Sequence, residues 1–426
     1  MLDIRMVREE TERVKTLLAR RGKSYDAEID RALALDERRR ALILESESNQ
    51  SNQNRVSKQI PVLKKEGKDT TAVMAEMKAL AEQTKLLTAE LSAVEEELRD
   101  VMLGIPCVPD EGVPVGKDSE ENTPIRTWGE PPAFDFAPKA HWDLGADLDI
   151  IDMPRATKVT GTRFSFMRAG GAALERALLN FCLDQNTKAG FTELMCPYMA
   201  NSATLTGTGQ LPKFADQMFK IEDTNYYLIS TGEIPATNYY ANEILDGDLL
   251  PVYHTTNTAC FRSEAGAAGR DTRGLIRVHQ FHKVEIVKFV RPEDSMAELE
   301  TLVAQPESLL RALGLPYRVV VCCTGDMGAN QAKQYDIEVW MPSYGKYVEI
   351  SSCSNYVDYQ ARRAGIRFKR EKGGKTEFVH TLNGSSLPAE RAVAAILENY
   401  QNADGTVTVP EVLRPYMGGR ERITKE

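Results

Sequence analysis

The 426-residue sequence has few cysteines and histidines, and none of them has the spacing of a common zinc site. Its seven cysteines, which include the adjacent pair Cys322 and Cys323, contain no C-x-x-C pair and no cluster with histidine. They do not suggest a disulfide framework either, which favours a reducing compartment. His279 and His282 are three residues apart, but on a strand they would point to opposite faces. We therefore expect both histidines to be structural, and we expect no zinc.

The sequence also lacks long apolar segments and an excess of positive charge. No uninterrupted run of about 20 apolar residues could cross a bilayer. The charged N-terminus, MLDIRMVREE, lacks the apolar region of a secretory signal. We therefore expect a cytoplasmic protein without a membrane partner. The net charge of −9 argues against a protein that coats nucleic acids indiscriminately, so any nucleic-acid partner must be met by a local basic patch.

The residues that are present have a globular composition, with 42% apolar and 27% charged residues, and the length allows two domains. We expect an N-terminal helical domain at residues 1–103, a linker rich in proline at residues 104–132, and an α/β domain at residues 133–426. In the last domain, strands and helices are segregated and hairpins connect the strands. This arrangement favours an α+β fold, with an antiparallel sheet flanked by helices.

Two consecutive segments of the N-terminal domain have a heptad pattern. The seam of the second segment, in alternating steps of four and three, is Val73, Met77, Leu80, Thr84, Leu87, Leu91, Val94, Leu98 and Val101. The first segment has the same spacing with a polar middle, at Ala32, Leu35, Arg39, Leu42, Ser46, Asn49, Gln53, Val56, Ile60 and Leu63. Between them, Gly67 can end one helix and Asp69 or Thr70 can cap the next. The pattern predicts an antiparallel two-helix coiled coil roughly 50 Å long.

The far end of this coiled coil is basic, although the whole chain is acidic. Five cations lie there against the single acid Glu66, namely Arg55, Lys58, Lys64, Lys65 and Lys68. A local patch of this kind is suited to phosphate contacts. A dimerising coiled coil or a spacer is the alternative interpretation of the heptads.

A second pattern is the stretch from Thr258 to Glu285, TACFRSEAGAAGRDTRGLIRVHQFHKVE. It predicts strands at residues 260–264 and 278–287, joined by a loop at residues 265–274. In such a strand, Arg262 and Glu264 would point the same way. A lone Arg-x-Glu of this kind is most often a cross-strand ion pair on a solvated face.

The surrounding sequence suggests a functional role for this stretch. Phe261–Glu264, Gly269–Gly274 and His279–Phe281 together resemble the second signature motif of the class II aminoacyl-tRNA synthetases. Among those enzymes the sequence is most similar to the seryl family. Further matching stretches, in family order, are Thr231–Glu233, Thr324–Met327, Glu349–Asn355 and His380–Ser385.

The resemblance implies ATP-dependent activation of L-serine and its transfer to the 3′ end of tRNA(Ser), with ATP and Mg²⁺ as cofactors. Arg262 and Arg391 are then the expected catalytic residues, because a guanidinium can hold two oxyanions and Arg391 matches the arginine that holds the γ-phosphate. Phe281 would stack on adenine, and Glu264 would meet the adenine amino group. The full expected ATP site is Arg262, Ser263, Glu264, Val278, Phe281, Glu349, Ile350, Ser351, Ser352 and Arg391.

The resemblance also assigns the serine, magnesium and tRNA sites. The positions that match the serine site are Thr231, Gly232, Glu233, Arg262, Glu285 and Ser385. Glu285 would be the partner of the serine hydroxyl, and Glu349 and Ser352 match the magnesium-binding positions. The basic end of the coiled coil would reach the long variable arm of tRNA(Ser). The helix at residues 170–188 and the strand at residues 191–196 resemble the family's first motif, which pairs with the same elements of a second subunit in a homodimer. An ordinary internal helix and strand is the alternative.

Four positions differ from the family's usual sequence. Gly232 replaces a frequent alanine, Ser386 and Glu390 stand where glycine is usual, and Pro388 also differs. We expect the last long helix at residues 388–400, with Pro388 in its first turn. We expect bulk at Ser386 and a carboxylate beside Arg391 to loosen or reorient ATP, since glycine lets a nucleotide approach the backbone closely. Alternatively, Glu390 simply occupies the first turn of a helix, where negative charge is favoured.

Two other functions compete with charging of tRNA. A ligase of the same fold that charges a carrier protein or a small-molecule acceptor would keep the adenylation residues, but it would have little use for a basic coiled coil. A non-catalytic coiled-coil interaction protein would have no reason to keep Arg262, Glu264, Glu285, Glu349 and Arg391 together.

Overall fold

The structure is a computed structural model that describes residues 1–264 and 273–425. Most of the predicted motif loop, including Gly269–Thr272, lies outside the described residues. The chain divides into two compact units, one formed by Met1–Ala19 and Lys23–Pro106, the other by Arg20–Gly22 and Cys107–Glu426. No helix in the described part of the chain is long and apolar enough to span a membrane.

The first unit is helical, as its periodicity predicts. Its helices are α1 Ile4–Glu9, α2 Thr11–Ala19, α3 Asp26–Lys65 and α4 Thr71–Gly104. All members of both predicted heptad seams are buried or half-buried. Between Val73 and Val101, all residues of α4 outside the seam are exposed. Gly67, two residues after the end of α3, has a φ of +67°, and Asp69 accepts a hydrogen bond from the backbone of Thr71. The predicted coiled coil is therefore confirmed.

Polar and charged pairs fix how α3 and α4 align. Asn49 Nδ2 donates to Leu80 O at 3.1 Å and to Thr84 Oγ1 at 2.7 Å. These two polar members of the seams satisfy each other, which explains why the interior tolerates them. Across the surface, α3 pairs with α4 through Arg31 with Glu97, Arg38 with Glu90 and Arg39 with Glu95. Arg31 near the start of α3 pairs with Glu97 near the end of α4, whereas Asn49, later in α3, bonds to Leu80 and Thr84, earlier in α4, so the helices are antiparallel.

The second unit mixes strands and helices. Its α-helices are α5 His141–Asp147, α6 Met153–Val159, α7 Ala169–Lys188, α8 Ser202–Thr208, α9 Glu233–Thr237, α10 Ser295–Ala312, α11 Tyr359–Ala364 and α12 Ala389–Asn399. Its strands are β1 Thr123–Trp128, β2 Ile151–Asp152, β3 Phe166–Met167, β4 Thr192–Leu194, β5 Met199–Asn201, β6 Tyr226–Leu228, β7 Ile244–Asp246, β8 Val252–Phe261, β9 Gln280–Val290, β10 Tyr317–Val321, β11 Lys333–Met341, β12 Lys346–Asn355, β13 Arg367–Lys369, β14 Thr376–Phe378, β15 His380–Pro388, β16 Val407–Thr408 and β17 Arg422–Ile423.

Eight of the strands form one sheet in the order β1-β10-β11-β12-β15-β9-β8-β4. Neighbours run antiparallel, except that β4 pairs parallel with β8. One apolar core joins buried residues of the helices, such as Leu178 of α7, Leu302 of α10 and Ile396 of α12, to Ile286 and Ile337 of the sheet. This is the predicted antiparallel sheet flanked by helices.

Three local expectations differ from the structure. Residues 123–128, inside the expected linker, form the edge strand β1, because their backbone pairs with β10. Strand β8 ends at Phe261, before Arg262, and Glu264 has a φ of +45°, so a shared strand face does not align Arg262 with Glu264. Pro388 ends β15 and caps α12 instead of occupying its first turn.

Candidate active site

A cavity of about 230 Å³ opens where β9, β12 and β15 lie side by side. Alternation along β9 explains its lining, since side chains on a strand point to opposite faces in turn. Val284 and Ile286 belong to the apolar core, whereas Lys283 and Glu285 line the cavity. On β12, Cys353 faces the core and Ser352 faces the cavity.

The structure brings most of the expected site residues to this one cavity. Those that line it are Thr231, Glu233, Arg262, Glu264, Val278, Phe281, Glu285, Glu349, Ile350, Ser352, Ser385 and Arg391. They come from five separate stretches of sequence. Local sequence alone therefore does not explain their convergence, which the sheet produces.

Three of the expected residues do not line the cavity. Ser263 Oγ donates to Asp216 O at 3.0 Å, and the hydroxyl of Ser351 donates to Ser385 O. Gly232 supports the site from behind, because a Cβ there would lie 2.9 Å from Thr256 Cγ2 and 3.2 Å from Glu285 Cβ.

One end of the cavity gathers buried carboxylates. Glu285 is 2% exposed, and its Oε2 lies 2.6 Å from Lys283 Nζ and 3.5 Å from Thr231 Oγ1. Glu233 Oε1 accepts from Gln360 Nε2 at 2.6 Å. Burial, and then the charge of Glu285, raises the pKa of Glu233 to about 7. This end can accept hydrogen bonds from an ammonium and a hydroxyl.

The next part of the cavity combines a guanidinium with an aromatic ring. Arg262 lies 5.2 Å from the centroid of the Phe281 ring, and its Nε donates to Ser230 O at 3.2 Å. Its backbone N–H donates to His279 O at 2.9 Å, while Arg262 O lies 2.9 Å from His279 Nδ1. His279 is therefore structural, as predicted. The positive φ of Glu264 places a strained residue beside this site, where such backbone strain is often found.

The far end holds a second arginine over a carboxylate. Arg391 donates to Ile276 O at 3.2 Å and to Glu349 O at 2.8 Å, and its Nη1 lies 3.6 Å from Glu349 Oε2. On the neighbouring strand Asp336 pairs with Ser352 in the sheet register. Burial, and then the charge of Glu349, raises the pKa of Asp336 to about 7. Oxygen donors of this kind fit Mg²⁺, a hard cation, better than zinc.

Of the residues that differ from the family's usual sequence, some line the cavity and others do not. Ser386 is fully buried and bonds to Asn186 on α7, with 2.8 Å between its Oγ and Asn186 Nδ2, so its bulk does not enter the cavity. Pro388 and Glu390 both line the cavity. Glu390 is in the first turn of α12, and both its carboxylate oxygens accept from His282 N.

The sequence interpretation missed several polar residues of the cavity. They are Lys283, Gln331, Ser354, Tyr356 and Asn383. Lys283 could have been found, since it stands two residues before Glu285 on one strand. Among the described residues, Gln331 Oε1 and Asn383 Nδ2 are buried without a hydrogen-bond partner, so a polar ligand would satisfy them.

An antiparallel sheet with two arginines and several carboxylates converging on one cavity defines the class of protein. It is a class II aminoacyl-tRNA synthetase, and the family described as tRNA synthetase class II core domain (G, H, P, S and T) matches residues 218–400. The Seryl-tRNA synthetase N-terminal domain family matches residues 1–109.

Individual relatives match the whole chain. The serine–tRNA ligase of Carboxydothermus hydrogenoformans is 58% identical over 427 residues, covering 100% of both chains. That of Pelotomaculum thermopropionicum is 56% identical, over 99% of this chain and 100% of its own. The crystal structure of seryl-tRNA synthetase from Pyrococcus horikoshii complexed with ATP has a TM-score of 0.93 at 38% identity, covering 100% of both chains. The chain belongs to the seryl-tRNA synthetase family, and its reaction is the activation of serine and the charging of tRNA.

Proposed function

We propose that this cavity binds L-serine and ATP side by side and joins them as seryl-adenylate. The observation that carries the proposal is the convergence of Arg262, Glu285, Glu349 and Arg391 on one cavity. In the reaction a serine carboxylate oxygen forms a bond to the α-phosphorus as the bond to pyrophosphate breaks. Both reactants are anionic, so the protein acts mainly by positioning them and neutralising charge.

Serine occupies the end with the buried carboxylates. Glu285, fixed by Lys283, accepts from the serine hydroxyl, and ionised Glu233 accepts from the ammonium. Thr231 and Ser385 complete this subsite. Gly232 has no side chain, which allows Glu285 to pack closely against its backbone. Arg262 bridges the serine carboxylate and the α-phosphate with its planar guanidinium.

ATP occupies the rest of the cavity. Phe281 stacks on adenine, Glu264 meets its amino group, and the backbone at Ser263 and Val278 completes the base site. Arg391 holds the γ-phosphate, and the strand segment Glu349–Ser352 supports the polyphosphate. Glu349 and Ser352 would hold Mg²⁺, which would supply positive charge to the phosphates.

The N-terminal coiled coil, in a domain spanning residues 1–103, binds tRNA(Ser). Its end presents Arg55, Lys58, Lys64 and Lys65, which are exposed and form no salt bridge within the described ranges 1–264 and 273–425. Lys68 pairs with Glu66 at 2.8 Å. Four unpaired cations in one short region are suited to the phosphates of the long variable arm. A ligase for carrier proteins or small acceptors would have little use for them.

The remaining assignments concern the setting of the reaction. Residues 104–132 connect the tRNA-binding domain to the catalytic domain at residues 133–426, and strand β1 within them adds an edge strand to the sheet of the catalytic domain. The catalytic domain forms a homodimer through α7 and β4, which stands at the edge of the sheet with Met195 beside it 97% exposed. The enzyme works in the cytoplasm, where a reducing environment keeps its seven cysteines as free thiols.

Replacing residues 28–101 with a short loop tests the division of labour. Serine-dependent ATP–pyrophosphate exchange should remain, whereas charging of tRNA(Ser) should be lost. Arg262→Ala is the matched opposite, because it should lose the exchange itself. If the shortened enzyme charged tRNA(Ser) at the normal rate, the coiled coil would be a spacer or a dimerisation element.

A further inference from the structure

A cluster of three titratable side chains lies beside the active-site cavity. It consists of Glu175 on α7, His282 on β9 and Glu390 on α12. All three line a second cavity of about 290 Å³, and Glu390 is the one of the three that also lines the active-site cavity, so it stands between the two cavities. Glu390 is only 5% exposed. A charge in such a place needs a partner to be tolerated.

His282 provides that partner in two ways. Its backbone N–H donates to the Glu390 oxygens at 3.0 and 2.9 Å, and its ring Nδ1 lies 3.6 Å from Glu390 Oε1. The same Nδ1 lies 2.9 Å from Glu175 Oε1, which fixes the ring. The carboxylates of Glu175 and then Glu390 raise the pKa of His282 to about 10. The ring is therefore a cation at neutral pH.

This proton also distinguishes the cluster from a metal site. The three side chains offer ligand atoms that lie within 4.8 Å of one another. An ion bound there would have to displace the proton that both carboxylates already stabilise on the ring. The cluster thus has its own cation, supplied by the chain.

The charge balance of the cavity shows what this cation does. Among the described residues, five glutamates line it, namely Glu233, Glu264, Glu285, Glu349 and Glu390, against Arg262, Lys283 and Arg391. Glu285, Glu264 and Glu349 have basic partners in Lys283, Arg277 and Arg391. Glu390 is next in sequence to Arg391. Burial raises its pKa to about 7 and His282 opposes that rise, so at a pH well above 7 an ionised Glu390 without its histidine partner would repel a polyphosphate in this partly buried place.

We propose that His282 is a positioning residue for ATP, which neutralises Glu390 and ties that carboxylate to the backbone of β9. Glu175 acts one step further away by orienting the ring. The inference rests on the proposed function, in which this cavity is the nucleotide site. It predicts that the unusual carboxylate beside Arg391 is harmless only while its histidine partner is present.

The test compares His282→Asn with the double variant His282→Asn, Glu390→Gln. At about pH 9, where Glu390 is ionised without its histidine partner and the wild-type ring is still largely protonated, calorimetric titration with ATP and the KM for ATP in pyrophosphate exchange should show binding at least about tenfold weaker in the single variant. The KM for serine should stay within about twofold, because the serine subsite is untouched. The double variant should recover ATP binding to within about threefold of the wild type. Glu371→Gln, at an exposed glutamate outside the cavity, is the control for loss of one negative charge.

Two results would overturn the inference. One is ATP binding by His282→Asn that equals the wild type, and the other is a double variant as weak as the single one. If His282→Asn fails to fold, Glu390→Gln alone is measured. It should bind ATP at least as tightly as the wild type, and weaker binding would overturn the inference. Absence of serine-dependent exchange in the wild type would instead refute the proposed function.

Discussion

Lys283 and Glu285 form a buried ion pair in the wall of the active-site cavity, with 2.6 Å between Nζ and Oε2. Both side chains are less than a tenth exposed. The residues are two apart on β9, so the strand itself holds them on one face. A carboxylate fixed in this way can recognise a hydroxyl group selectively, because it has little freedom to turn toward another partner.

Glu285→Ala should remove the preference for serine over alanine. A site built to bind a hydroxyl can reject the analogue that lacks it by about 10⁴-fold, because its polar groups are then left unpaired. We expect the ratio of kcat/KM values in pyrophosphate exchange to fall by at least about a hundredfold. Glu338→Gln, on the same sheet but away from the cavity, is the control. An unchanged ratio would mean that the hydroxyl is read elsewhere.

Arg262→Ala should slow adenylate formation strongly. Loss of one preorganised donor to a developing charge costs about 3 to 4 kcal/mol in the transition state. Arg262→Lys should retain part of the rate, since it keeps the charge but loses the planar fork and its contact with Phe281. Pyrophosphate exchange measures both. Exchange close to the wild type in Arg262→Ala would remove this residue from the mechanism.

Serine binding should strengthen as the pH rises toward 7. Burial, and then Glu285, raises the pKa of Glu233 to about 7, so the group is neutral below that pH and ionised above it. Only the ionised form pairs with an ammonium, so kcat/KM for serine should rise with pH and level off above about 7. Glu233→Gln should lower kcat/KM and flatten this step. A step that persisted in the variant would belong to another group.

Neutralising Arg55, Lys58, Lys64, Lys65 and Lys68 should weaken binding of tRNA(Ser) and flatten its dependence on salt. The log–log slope should change by up to about 0.7 to 0.9 for each phosphate that the variant no longer neutralises. Filter binding over a range of salt concentrations measures this.

The matched control for that variant is neutralisation of Arg31, Arg38 and Arg39. These cations are on the same helix but already paired with Glu97, Glu90 and Glu95. Their loss should change the salt slope much less. Equal slopes in the two variants would show that general charge, and not the end of the coiled coil, attracts the tRNA.

The native protein should expose at most one reactive thiol. Six of the seven cysteines are buried, and burial raises the pKa of Cys107 to about 12, which suppresses its reactive thiolate. Only Cys196 is partly exposed. Alkylation followed by mass spectrometry should label at most Cys196 before denaturation and all seven cysteines afterwards. Rapid labelling of Cys260 or Cys322 in the native protein would contradict this.

Much of the fold follows from local periodicity. The heptad spacing identified every buried position of α4 between Val73 and Val101, because an isolated pair of helices has only one apolar stripe to bury. The expected linker was less predictable. Its prolines suggested an extended chain, but Thr123–Trp128 becomes strand β1 because β10 offers it an unpaired edge.

The active site was also only partly predictable from local sequence. The sequence by itself determined which polar residues stand between apolar ones on β9, β12 and β15, since alternation places them on one face. It did not determine what else meets them there. Glu175 and His282 are 107 residues apart and Glu390 a further 108, and no local period links them. Only the packing of α7 and α12 against the sheet decided that the polar atoms of these three side chains lie within 4.8 Å of one another, because long-range contacts depend on how whole elements pack and not on the spacing of residues within them.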